Sequence, residues 1–183
     1  NFSIITPTWN RSELVDALLK SLYEERQRYW QGEVEVLIVD SSTGVERENI
    51  VSSCNKYDAQ YISVDDSVRK KRNKGIKSAR YDHILFIDSD VTVEKGILDE
   101  YVDAYKNPYN VKLGGVLGYT EFTGARTFWW RMLERTSLIN SFSFAHNYPF
   151  HSWTIGNNVS FKKSVLEEIG MFEENFPFKL GGD

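Results

Sequence analysis

Apolar and polar positions along the chain fall into two kinds of block. Short runs rich in β-branched residues, FSIITPT (2–8), VEVLIVD (34–40), AQYISV (59–64) and HILFID (83–88), read as strands, the first stopping at Pro7. Between them lie longer stretches with helical spacing. RSELVDALLKSLYEERQRYW (11–30) sets Leu14, Leu18, Leu19 and Leu22 on one face, with Ser12 as the expected N-cap. VERENIVSSCNKY (45–57) is a weaker helix, VRKKRNKGIKSA (68–79) a basic one, and VEKGILDEYVDAYK (93–106) follows the fourth strand. The strand runs are apolar on both faces, as a sheet covered by helices on each side demands. This alternation predicts an α/β fold with a mostly parallel central sheet flanked by helices.

The pattern changes character near residue 110. KLGGVLGYTEF (112–122) reads as a strand with Gly-rich bends, and TFWWRMLERTSLINSFSFAHNYPFHSW (127–153) is dense in aromatics. TIGNNVSFKKSVLEEIGMF (154–172) reads as strand, then helix capped at Ser164, then a turn at Gly170. Phe128, Trp129, Trp130, Met132 and Leu133 are expected to form a helix face buried on the sheet. The other readings of the block are stacking on an acceptor sugar or contact with a lipid-linked acceptor at a membrane. There is no internal repeat and no linker, so the 183 residues are expected to form one domain with two functional halves, 1–110 and 111–183.

Composition narrows the class. With 41% hydrophobic residues the chain can bury a core, and a net charge of −4 argues against a nucleic-acid partner. A single cysteine, Cys54, excludes an internal disulfide framework and fits a reducing, cytoplasmic setting. No apolar run reaches the roughly 18–20 residues of a membrane span. The start at Asn1 and the end in LGGD fit a piece of a longer chain.

In parallel sheets ligands bind beyond the carboxyl ends of the strands. Three polar loops fall there: PTWNR (7–11), DSSTG (40–44) and DSD (88–90). Asp88 and Asp90, one residue apart at the end of an apolar strand, suit a hard divalent cation such as Mg²⁺ or Mn²⁺ shared with substrate phosphates. The plain alternative is capping, with Asp88 closing the strand and Asp90 capping a helix that begins near Val91. FIDSDVTV also matches the motif of haloacid-dehalogenase phosphatases. That reading wants its nucleophilic Asp near the start of the domain, whereas three strand–helix units come first here. Its later paired acids are missing too, since Asp183 follows PFKLGG rather than a buried strand.

Five segments in order resemble glycosyltransferase family 2: SIITPTWNR, VEVLIVDSST, RKKRNKGIKSARYDHILFIDSDV, TIGNNVSFKKSVLEEIGMFEE and the terminal LGGD. The resemblance implies a GT-A fold, Rossmann-like and typical of nucleotide-diphospho-sugar transferases. It also implies inverting transfer of a sugar from a nucleotide donor, UDP-linked, with Mn²⁺ or Mg²⁺. By the resemblance Asp40 accepts a hydrogen bond from the base. Pro7, Thr8 and Asn10 line base and ribose, with Trp9 where the family often has Tyr, and Arg11 lies on the phosphate side. Arg72 neutralises the diphosphate or holds Asp88, alongside Asn73 and Gly75, the glycine permitting close helix-to-strand approach. The other Lys and Arg residues of that stretch are expected to face solvent. Asp88 and Ser89 contact the donor, with Asp90 as the direct metal ligand. Trp153, Gly156, Asn157 and Asn158 line the acceptor side, which His146 and His151 could join, and Asp183 or its next neighbour is the base. The acceptor is a glycan, a lipid-linked sugar or a protein, reached at the cytoplasmic face of a membrane. The rival to turnover is a GT-A-like domain that only binds nucleotide or glycan.

Overall fold

The computed structural model describes residues 1–28, 30–64, 67–106, 113–124, 127–134 and 154–175. Six strands form one sheet: β1 (Phe2–Thr8), β2 (Val34–Asp40), β3 (Gln60–Ser63), β4 (His83–Ile87), β5 (Gly115–Leu117) and β6 (Asn158–Lys162), in the order β3-β2-β1-β4-β6-β5. β3, β2, β1 and β4 run parallel, and β6 and β5 continue the sheet antiparallel. The helices are α1 (Ser12–Arg28), α2 (Gly44–Lys56), α3 (Val68–Ser78), α4 (Ile97–Lys106), α5 (Phe128–Glu134) and α6 (Lys163–Glu168).

Strand periodicity divides the core. Phe2, Ile4, Val36, Ile38, Leu85 and Ile87 point to one face, where Val15, Leu18, Leu19 and Leu22 of α1, Ile50 and Cys54 of α2, and Leu98 and Tyr101 of α4 cover them. Ile5, Leu37, Val39, Ile84 and Phe86 point to the other, under Ile76 of α3 and Leu166 of α6. Most of these side chains are fully buried, each worth about 1.5–3 kcal/mol of transfer free energy. Gly75 packs α3 against β1 so closely that a Cβ there would collide with Cγ2 of Ile5.

Several boundaries differ from the sequence reading. β1 does not stop at Pro7: pairing with β2 runs through Pro7↔Val39 to Thr8↔Asp40. Pairing with β4 has already ended at Ile5, so Pro7 lies where β1 has a neighbour on one side only, and its missing N–H is tolerated. On α1 the core residue is Val15, while Leu14 is exposed. α4 begins at Ile97, seven positions after Asp90, so Asp90 caps no helix. Three helix amino ends, those of α1, α4 and α6, are capped from a distance instead. Ser12 N–H donates to Glu46 Oε2 (2.9 Å), Gly96 N–H to Glu25 Oε2 (2.9 Å), and Ser164 N–H to Asp82 Oδ1 (3.0 Å). Ser12 and Ser164 therefore sit inside their helices and are not the caps. The turn at Gly170 stands, with φ +89°. The face expected to be buried on α5 is exposed at Phe128, Trp129, Met132 and Leu133, while Trp130 packs edge-on against Phe122 at 5.3 Å and Phe128 meets Trp129 edge-on at 5.5 Å. Among the described residues no helix is long and apolar enough to cross a membrane.

Candidate active site

The carboxyl ends of β1, β2 and β4 bring three loops together. Thr8 ends β1 directly across from Asp40, which ends β2. Asp40 is fully buried: Oδ1 accepts from the backbone N–H and the hydroxyl of Ser42 (2.9 and 2.6 Å), and Oδ2 from the Tyr61 hydroxyl (3.0 Å). Burial, and then the bond to Asp40, pushes the Tyr61 hydroxyl above its ordinary pKa. The Ser42 hydroxyl oxygen in turn accepts from Asn10 N–H (2.7 Å), and Asn10 sits at φ +50°, a left-handed conformation that asparagine tolerates. The β1 loop is thus tied to Asp40 through Ser42, with Trp9 largely exposed beside it.

The same loop reaches the paired aspartates. Arg11 Nη1 donates to Asp90 Oδ2 (3.1 Å), a contact with both side chains about half-exposed. Arg72 Nη2 donates to Asp88 Oδ1 (3.3 Å) and to the Gly156 carbonyl (3.2 Å). A Cβ at position 156 would run into that guanidinium, so glycine makes room for it. Asp88 N–H donates to the Asn157 carbonyl (3.1 Å), fastening the β6 turn to the aspartate loop. Burial raises the Asp88 carboxyl above its usual pKa, and the facing Arg72 pulls against that shift. Ser89, between the aspartates, turns inward and is buried.

The sequence reading therefore placed Thr8, Asn10, Arg11, Asp40, Arg72, Asp88, Asp90, Gly156 and Asn157 in one connected neighbourhood. Two of its residues, Asn73 and Asn158, do something else with their side chains. Asn73 is buried, with Oδ1 accepting from Phe172 N–H (3.0 Å) and Nδ2 donating to the Phe172 carbonyl and Glu174 Oε1 (both 2.8 Å), so it offers nothing to a donor. Gly75 makes the close helix-to-strand approach expected of it, against Ile5. Asn158 is buried too, accepting from the Tyr101 hydroxyl (2.7 Å) and donating to the Tyr119 carbonyl (3.0 Å), which removes its amide from an acceptor's reach. Asp183, Trp153, His146 and His151 lie outside the described residues.

Lys71 is the residue the sequence missed. It was counted among the solvent-facing cations of α3, yet it is only 4% exposed, and its Nζ donates to the Thr8 carbonyl (2.8 Å). The signal was available: on α3 the position shares a face with Gly75, four residues on, which packs against β1.

For a metal, the donor set is two carboxylates on one loop, and the described residues hold no cluster of three or more acidic, His or Cys groups. Two hard oxygen ligands reachable from solvent fit Mg²⁺ or Mn²⁺ when the remaining positions come from water and substrate phosphates. A cation held by protein alone would need more ligands than this.

Comparison with known proteins agrees with this architecture. Chondroitin synthase of Pasteurella multocida is 24% identical over 219 residues, covering 99% of this chain and 22% of that protein. A poly(ribitol-phosphate) β-N-acetylglucosaminyltransferase, TarS, of Staphylococcus aureus is 30% identical over 125 residues, covering 64% of this chain and 22% of the relative. The chain spans about a fifth of the length of each of these two. Among solved structures, the mannosyltransferase PcManGT of Pyrobaculum calidifontis, in complex with GDP-Man and Mn²⁺, superposes with a TM-score of 0.66 at 20% identity, covering 94% of this chain and 47% of that one. Residues 1–349 of S. aureus TarS with UDP-GlcNAc superpose at 0.65 and 21% identity, covering 94% and 48%. The fold is thus the GT-A fold of these glycosyltransferases, and the phosphatase reading of FIDSDVTV is overturned. Since the sequence profile of "Glycosyl transferase family 2" matches residues 3–170, nearly the whole chain, the chain belongs to glycosyltransferase family 2.

Proposed function

We propose that this chain is the donor-binding and catalytic domain of a metal-dependent, inverting glycosyltransferase that takes its sugar from a uridine nucleotide. The observation that carries the reading is the convergence of Asp88 and Asp90 with the loops after β1 and β2, joined by the Arg11–Asp90 contact of 3.1 Å. Nucleotide-sugar donors are bound by proteins of similar fold, UDP-GlcNAc by TarS and, with Mn²⁺, GDP-Man by PcManGT.

The nucleobase lies over the loop 8–11, held in shape by Ser42 and Asp40, and the diphosphate lies toward Asp90. Arg11 turns from Asp90 to the phosphates when the donor is seated. Arg72 stays on Asp88 and keeps that carboxylate charged against the cost of its burial. A divalent cation, held by Asp90 with Asp88 beside it, supplies Lewis-acid stabilisation of the departing diphosphate. Asp183, or an acidic residue next to it, takes the proton from the acceptor hydroxyl as that oxygen attacks the anomeric carbon in line. The acceptor is a glycan, a lipid-linked sugar or a protein, and the exposed aromatics of α5 offer stacking surface for a sugar.

Calorimetric titration of UDP with and without Mn²⁺ tests this reading. Asp90→Asn keeps size but removes a charged oxygen ligand, and it is expected to abolish the Mn²⁺-dependent part of UDP affinity. An unchanged metal dependence rules out the assignment. A parallel series with GDP, CDP and dTDP reports the base preference.

A further inference from the structure

Two neighbouring aromatic rings lie against Arg72. Its guanidinium carbon lies 5.7 Å from the ring centroid of Phe86 on β4 and 5.5 Å from that of Phe172, which follows α6. The two rings meet edge to face at 5.6 Å. Among the described residues Nε of Arg72 is buried without a hydrogen-bond partner, and the rings and the two Nη2 contacts orient the group.

Phe172 does not arrive there by ordinary packing. Gly170 and Met171 both have left-handed backbone, at φ +89° and +64°, and the second of these is unfavourable for a side chain with a Cβ. Such a conformation persists only where its surroundings over-determine it. Here Asn73, the neighbour of Arg72 on α3, brackets Phe172 by accepting from its N–H at 3.0 Å and donating to its carbonyl at 2.8 Å. Adjacent residues of α3 thus do paired work: Asn73 fixes the backbone of Phe172, and the Phe172 ring fixes Arg72.

We infer that Phe172 and Asn73 are positioning residues for the donor site, acting on Asp88 through Arg72. The inference rests on the proposed function, in which Asp88 and Asp90 face the donor diphosphate and its metal. It joins the segment beyond α6 to the aspartate loop through one chain of contacts: Asn73 to Phe172, Phe172 to Arg72, Arg72 to Asp88. A rotated Arg72 loses its 3.3 Å bond to Asp88 Oδ1, and that carboxylate is no longer held in place beside Asp90 for metal and diphosphate.

The alternative is that Phe172 is merely a core side chain on Phe86. A double-mutant cycle separates the two. Phe172→Leu and Phe172→Met both keep apolar bulk and remove the ring, so one can stand in if the other folds poorly. Phe172→Tyr keeps the ring. Mn²⁺-dependent UDP affinity is measured by calorimetry for each, alone and combined with Arg72→Ala, and thermal stability is recorded in parallel. The ringless variants are expected to weaken that affinity about three- to tenfold, the usual worth of a partly desolvated cation–π contact. Phe172→Tyr is expected to restore it, and in the Arg72→Ala background the ringless change is expected to have no further effect. Lost stability with unchanged affinity overturns the inference, and so does a ringless effect that adds in full to that of Arg72→Ala. Wild-type protein and Asp90→Asn are the controls. If wild-type affinity does not depend on Mn²⁺, the site reading itself has failed. If it does and Asp90→Asn abolishes that dependence, a silent Phe172 defeats this inference alone.

Discussion

At the scale of single residues, the carboxyl end of β2 carries a conflict that decides how a base is read. A carboxylate is a good acceptor for the N3–H of uracil, and Asp40 stands in the right loop for that. In this structure, however, the residue is fully buried and the Tyr61 hydroxyl already donates to Oδ2 at 3.0 Å. A uracil N3–H reaching that oxygen shares it, in a buried site, with the Tyr61 hydroxyl. Tyr61→Phe removes the competitor while keeping the ring that lies beneath Arg47, whose guanidinium carbon is 5.8 Å away. The variant is expected to bind UDP several-fold more tightly relative to CDP, which has no N3–H, on the roughly 1–3 kcal/mol scale of a buried unpaired group. Competitive titration of the two nucleotides checks this. An unchanged ratio means that Asp40 shapes the loop through Ser42 and Asn10 and does not touch the base.

At the scale of elements, α1, α4 and α6 take their amino-end caps from other elements, whereas α5 uses its own preceding residue, the Thr127 hydroxyl accepting from Trp130 N–H (3.2 Å). Glu25 is 2% exposed, near the end of α1, and both its oxygens accept from Gly96 N–H just before α4 (3.1 and 2.9 Å). It satisfies donors that would otherwise be orphaned and places negative charge at the positive end of the helix. Glu25→Ala is expected to lower unfolding free energy by about 2 kcal/mol, with Glu25→Gln recovering part of the loss, as read from urea midpoints at constant m-value. What could be read from the chain and what could not divide along the same line. β2, β4 and the Asp88–Asp90 pair were legible because a strand's apolar run and the polar residues that end it are contiguous. The capping roles of Glu46, Glu25 and Asp82, the buried Lys71 and the inward-facing amides of Asn73 and Asn158 were not. Each depends on a partner more than thirty residues away. Local propensity assigned Ser12 and Ser164 as caps because hydroxyl residues favour that position. A carboxylate brought in by the fold accepts instead from each serine's own N–H, so the serine becomes a helical residue rather than the cap.

At the scale of the whole molecule, the parallel strands give the sheet two different ends. The carboxyl end gathers Asp40, Asp88 and Asp90, while the amino end of β4 holds His83 between the rings of Phe2 (5.6 Å) and Tyr105 (4.7 Å). Burial lowers the pKa of His83 below its ordinary 6.5, the Asp82 charge opposes this, and the N-terminal ammonium and Lys162 push further down. A folded-state pKa below the unfolded one means that the unfolded chain takes up the proton first as pH falls. The stability tied to His83 is therefore fully present above about pH 6.5 and is lost progressively as pH drops below that value. His83→Phe keeps an aromatic ring in the slot and removes the titration. The difference in urea midpoint between wild type and this variant is expected to be flat from pH 8 to about 7 and to move in favour of the variant toward pH 5.5. Taking the difference cancels the contributions of His146 and His151. Because His83 lies at the end of the sheet away from the aspartate loop, UDP affinity at pH 7.5 is expected to be the same in both proteins. A pH-independent difference would show that His83 is held equally well charged or neutral, and a change in UDP affinity would show that the two ends of the sheet are coupled.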